Sequence, residues 1–120
     1  MTKRDRCQQV LRWLVSTQPP PYPVSLRFTE YADATFDFGG SSFVADPKTG
    51  EESVVIDLCI SEKMGSLYHW LVHEYVHAAT WPPPHIAHLQ PQHRGIWAAV
   101  YGDLYDKFFE EGGCEASREF

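Results

Sequence analysis

Two proline triplets, Pro19-Pro20-Pro21 and Pro82-Pro83-Pro84, set the tightest limits on what this chain can fold into. No regular helix runs through either one, because proline lacks the backbone donor and its ring clashes with the preceding turn. The triplets therefore cut the 120 residues into an N-terminal, a middle and a C-terminal segment. Each segment has its own periodicity.

In the first, Cys7, Val10, Leu11, Leu14 and Val15 recur at helical spacing and predict a helix over residues 2–18, with Thr2 placed to cap it. After Pro23 the pattern changes. Val24, Leu26 and Phe28 alternate with polar residues as in a half-buried strand, and Thr35-Phe36-Asp37-Phe38 repeats that alternation. Gly39-Gly40 is expected to mark a bulge or bend. Phe43-Val44 and the run Val54–Ile60 flank Asp46-Pro47-Lys48-Thr49-Gly50, a turn sequence. Three or four short antiparallel strands are expected, with Val54–Ile60 the most buried.

Ser61 is the expected cap of a second helix that reaches Trp81. Pro91 suits the first position of a third helix, which runs to Glu111 and ends at Gly112-Gly113. The expected fold is a single α+β domain over residues 1–120, with a short, mainly antiparallel sheet packed against two or three helices. Residues 1–23 form the N-terminal helix and proline-rich connector, and residues 113–120 are expected to be a loose tail.

Composition narrows the partners. A net charge of -6 counts against a surface that holds nucleic-acid phosphates. The three cysteines, Cys7, Cys59 and Cys114, are far apart and form no C-x-x-C, which suggests neither a disulfide framework nor a cysteine zinc ribbon. The N-terminus, MTKRDRCQQV, has no apolar signal core, and no apolar run approaches a membrane span. A cytoplasmic setting is expected, with no nucleic-acid or membrane partner.

The chemistry is concentrated in one stretch. All six histidines, His69, His73, His77, His85, His88 and His93, fall within it, and His73-Glu74-Tyr75-Val76-His77 is an H-E-x-x-H motif on the second predicted helix. On a helix, His73 and His77 are offset by only about 40° around the axis, so both imidazoles reach one ion. Glu74 is displaced by about 100° from His73, so it flanks the ion and is placed to take a proton from water. Neutral imidazoles suit a single Zn²⁺, and a catalytic zinc usually has three protein ligands.

Four histidines remain for the third position. His93 precedes Ile96 and Trp97, which open the apolar series Ile96, Trp97, Val100, Tyr101, Leu104, Tyr105 and Phe108. Helical phase therefore puts His93 on the inward face, in a first turn whose dipole keeps imidazole neutral. His85 and His88 lie on a loop without that constraint. His69 shares the face of the pair, but three ligands along one straight helix cannot converge on a tetrahedral ion. It is read as a residue of the substrate cleft or a support for the ligands. Tyr101 is placed to polarise a substrate carbonyl, with core packing as its plainer role, and Arg94 to bind a substrate carboxylate, with a solvated side chain as its plainer role.

With these residues in hand, the chain resembles a small SprT-like or minigluzincin-type zinc metallopeptidase domain over roughly residues 24–110. The matching segments are His73-Glu-Tyr-Val-His-Ala and His93-Arg-Gly-Ile-Trp-Ala, with Ala78 and Trp97 in the family's pattern. Arg94 departs from it, standing where the family has glycine or serine. Pro83 occupies the position at which the long zincin motif has its third histidine, and no glutamate occurs between His77 and Glu110.

The resemblance implies a zincin-like fold, zinc on His73, His77 and His93, Glu74 as general base and acid, and a peptide or protein substrate. The DNA-binding and zinc-ribbon extensions of some relatives are not implied, because the chain lacks the length, cysteines and basic charge for them. The alternative function is a catalytically weak or inactive zincin-like module that binds a protein partner.

Overall fold

The computed structural model describes residues 2–30, 39–81 and 95–118. Helix α1 spans Lys3–Thr17, followed by strands β1 (Val24–Thr29), β2 (Gly39–Ala45) and β3 (Glu52–Cys59). Helix α2 spans Met64–Ala79 and α3 Ile96–Tyr105; α3 continues into a π-helical turn over Asp106–Glu110, and a short α4 covers Glu115–Arg118. The α+β expectation holds. Among the described residues, no helix is long and apolar enough to cross a membrane.

Helix α1 begins where the sequence predicts. The Thr2 hydroxyl accepts from the Asp5 amide at 3.1 Å, and the Asp5 carboxylate accepts from the Thr2 amide at 3.0 Å. This reciprocal box satisfies donors that the first helical turn leaves open. It also holds the Asp5 carboxyl below the usual carboxylate range. Cys7, Val10, Leu11 and Leu14 form the buried stripe.

The sheet is mixed rather than mainly antiparallel, with strand order β1-β3-β2. β2 and β3 form a hairpin closed by Asp46, whose carboxylate accepts from the amides of Lys48 (2.7 Å) and Thr49 (3.2 Å). Gly50 completes the turn at φ 74. β1 pairs with the other side of β3 in parallel. This arrangement gives the most apolar strand partners on both edges. It needs no helical crossover, since Thr29 and Gly39 pair at the same end of β3, with Cys59 and Leu58. Gly39 and Gly40 pair in unbroken register with Leu58 and Asp57, so they form no bulge. Thr35–Phe38 lies outside the described residues.

The register assigns the two faces. Val24, Val54 and Phe43 share one row; Leu26, Ile56 and Ser41 share the next on the same face, because side chains alternate with period two. This is the core face: Val54, Ile56 and Leu58 are fully buried. On the opposite face, Arg27 clamps the buried Asp57 carboxylate through Nε and through Nη2, the latter at 3.0 Å. A charge so deeply buried needs such a partner.

Helix α2 lies over the core face. Lys63, not Ser61, is its N-cap, and no side chain caps it. The Ser61 hydroxyl instead sits 3.0 Å from the Cys59 thiol. Leu67, Tyr68, Leu71, Val72, Tyr75 and Val76 are buried. The Tyr75 hydroxyl donates to the Gln18 carbonyl at 2.6 Å, fastening the middle of α2 to the end of α1.

Helix α3 starts at Ile96 behind Gly95, whose φ of 62 and ψ of -130 are not helical. The helix start expected at Pro91 lies outside the described residues. Ile96 is 63 % exposed and drops out of the predicted inward face, while Trp97, Leu104 and Phe108 are buried. At the far end, Gly112 takes φ 63 and the Gly113 amide donates to the Lys107 carbonyl at 2.7 Å, a left-handed stop. The tail is not loose throughout. Cys114 and Ala116 are buried, and α4 packs on α1.

The α1–α2 fastening yields a prediction. Tyr75→Phe keeps the buried ring but leaves the Gln18 carbonyl without its donor, and should lower unfolding free energy by about 1 kcal/mol. Urea denaturation of the two proteins measures it, and an unchanged midpoint would show that the bond contributes nothing.

Candidate metal centre

The site forms where α2, the start of α3 and the edge strand β2 meet. Helical spacing brings His73 and His77 together as the sequence predicts. Their ring centroids are 5.3 Å apart, with planes at 67°. That spacing can be tested against a metal. With zinc–nitrogen bonds of about 2.0–2.1 Å and ring centres about 1 Å further out, two imidazoles on a tetrahedral ion have centroids ~5 Å apart. The pair fits that requirement as it stands. The His73 side chain is 21 % exposed, so solvent reaches this edge of α2.

Glu74 turns the other way, towards β2. Its side chain is only 9 % exposed, and its Oε1 lies 4.0 Å from His73 Nε2. Burial pushes its carboxyl above the ordinary 4.5, and a hydrogen bond from Ser41 partly opposes the shift. Ser41 reaches it because residues 41 and 43 share the core face of β2. Two positions along the strand, Phe43 stacks on Trp81 just past the end of α2, with centroids 5.9 Å apart. β2 thus runs alongside α2 and supplies one wall of the site.

Aromatic rings supply the other. Trp97 is 5.1 Å from the His73 ring and 5.3 Å from the His77 ring. Tyr101 stacks on Trp97 at 4.8 Å with planes 10° apart, and its ring is 6.1 Å from His73. Trp70 packs on His73 at 5.5 Å. His69 is exposed, one turn before the pair, with its ring 6.2 Å from Trp70. Burial raises the Tyr101 phenol, with Tyr105 adding to the shift.

The remaining candidates, His85, His88, His93 and Arg94, lie outside the described residues. The helical phase that tied His93 to Ile96 and Trp97 does not extend back through Gly95, because of that residue's conformation. Among the described residues, no group of three histidine, cysteine, aspartate or glutamate side chains gathers to hold a metal. The described site therefore consists of two imidazoles, one buried carboxylate and an aromatic wall.

The sequence reading passed over Ser41, Trp70 and the contact of Trp97 with both histidines. Each had a signal. Ser41 is in phase with Phe43 on an alternating strand, Trp70 precedes His73 by three on a helix, and Trp97 precedes Tyr101 by four. Comparison of the chain with family models, with curated proteins and with solved structures finds no match.

The raised carboxyl makes stability depend on pH. A group whose folded pKa lies above its unfolded value favours folding fully below the unfolded value, and that contribution is lost as pH rises through the folded value. For Glu74 the window opens at the ordinary 4.5 and closes above its raised value. In chelator-treated protein, Glu74→Gln should therefore gain stability relative to the parent as pH rises from the ordinary 4.5 through the raised value, with the gap narrowing as pH falls back through that window. Thermal melts across pH test this; a gap independent of pH would contradict a buried, titrating Glu74.

Proposed function

We propose that this protein is a zinc-dependent peptidase of SprT-like or minigluzincin type, acting in the cytoplasm on a peptide or protein and not on nucleic acid or membrane. The observation that supports this most is the pairing of two imidazoles at metal-sharing distance with a buried carboxylate 4.0 Å from one of them. His73 and His77 would hold a single Zn²⁺, with His93 proposed as the third ligand. When bound, zinc supplies Lewis-acid chemistry, polarising a carbonyl and making water more acidic.

The chain's own residues do the rest. Glu74 accepts a proton from the attacking water as its oxygen bonds to the scissile carbonyl carbon. It then returns that proton to the amine nitrogen as the carbon–nitrogen bond breaks. A carboxyl raised by burial is suited to both steps, since it holds and releases a proton nearer neutrality than an exposed glutamate. Ser41, on the core face of β2, meets the carboxylate from the strand side. Among the described strands β2 pairs only with β3, so its other edge is proposed to receive an extended peptide by strand addition. His69, Arg94 and Tyr101 are proposed to contact substrate or support the ligands.

The second reading is a zincin-like binding module, catalytically weak or inactive and directed at a protein partner.

Metal analysis paired with peptide hydrolysis separates the two. The parent should carry one zinc per chain and show chelator-sensitive cleavage. Glu74→Gln should keep the zinc and lose about 10²–10⁴-fold in rate. His93→Ala should lose zinc affinity. A parent without zinc or cleavage supports the binding module, and full zinc affinity in His93→Ala rejects that residue as ligand.

A further inference from the structure

We propose that Trp97 is the positioning residue of this site: its indole sets both imidazoles of the His73/His77 pair in the orientation that one metal ion requires. The inference rests on the metal-site reading and assigns a residue to it.

The geometry has three parts. The rings of His73, His77 and Trp97 form a near-equilateral triangle with sides of 5.3, 5.1 and 5.3 Å. The indole meets His73 at 65° and His77 at 40°, so it packs against both imidazoles at ring-contact distance. Trp97 is itself immobilised, being 5 % exposed with Tyr101 stacked almost parallel to it. Trp70 closes on His73 with its ring at 66°. An unsupported histidine on a helix surface samples several rotamers, and a ligand must give up that freedom on binding. Here packing has already restricted both ligands. In this site one flat ring packs against both imidazoles.

Chelator-stripped protein titrated with Co²⁺ tests the proposal, through the visible absorption band of the bound ion and through tryptophan fluorescence. Trp97→Phe keeps a flat ring and should bind Co²⁺ within about threefold of the parent, with the same band. Trp97→Leu keeps apolar bulk without a flat face, and should bind about 10–100-fold more weakly with a shifted band. Should Trp97→Ala fail to fold, the leucine and phenylalanine variants still decide the matter, because a purely structural role lowers thermal stability without altering the band. Trp97→Leu binding Co²⁺ as the parent does, with an identical band, overturns the proposal. His73→Ala is the control: it should abolish the band. If it binds as tightly as the parent, the metal-site reading fails and takes this inference with it. If only the Trp97 series is silent, the metal-site reading stands and this inference alone is lost.

Discussion

The rotational setting of α2 is the constraint on which the site depends. Leu67, Tyr68, Leu71, Val72, Tyr75 and Val76 are each at most 1 % exposed. Full burial of such side chains contributes about 1.5–3 kcal/mol each, so the face as a whole is worth on the order of 10 kcal/mol. Turning the helix by one residue, about 100°, would forfeit much of that. The sum is comparable with the entire net stability of a domain, about 5–15 kcal/mol, so no single interaction at the site can reset the helix. The Tyr75 hydroxyl bond to Gln18 fixes the same angle from the α1 side. With the core face fixed, His73 and His77 must emerge at the margin and Glu74 must face β2.

That setting also decides the electrostatics. A glutamate placed under an edge strand loses water on most sides, and burial raises its carboxyl. Ser41 offsets part of the cost without cancelling it. Asp57 meets the same problem on the other face of the sheet and solves it differently, with a two-point clamp from Arg27. At Asp57 the buried charge meets an opposite charge from Arg27, whereas the Glu74 carboxyl is met by the Ser41 hydroxyl and is raised by burial.

Much of this was legible in the residues. The Thr2 cap, the α1 stripe, the Asp46–Gly50 turn and the burial of Val54–Ile60 follow local rules, and the structure keeps them. The convergence of His73 and His77 follows from helical geometry alone. What failed depended on partners distant in sequence. Nothing local to β1 shows that it pairs in parallel with β3, because that choice depends on β3 needing two edges covered. Ser61 has the chemistry of a cap but lies beside Cys59, and the helix begins after it. Gly95 adopts a backbone conformation that is not helical, and α3 begins after it. Trp97 was read as core, and it is buried, but its contact with both imidazoles depends on how α3 docks on α2.

The strand order has a consequence for how the site is put together. Ser41, His73, Glu74 and His77 all lie within residues 39–81, a hairpin followed by a helix. β1 and α1 belong to earlier chain, β1 covering the far side of β3 and α1 the back of α2. The polar half of the site therefore comes from one contiguous stretch of chain, and the N-terminal segment supports it from behind. Trp97 comes from later chain, carried in by α3, and the two imidazoles stand where α3 meets that stretch.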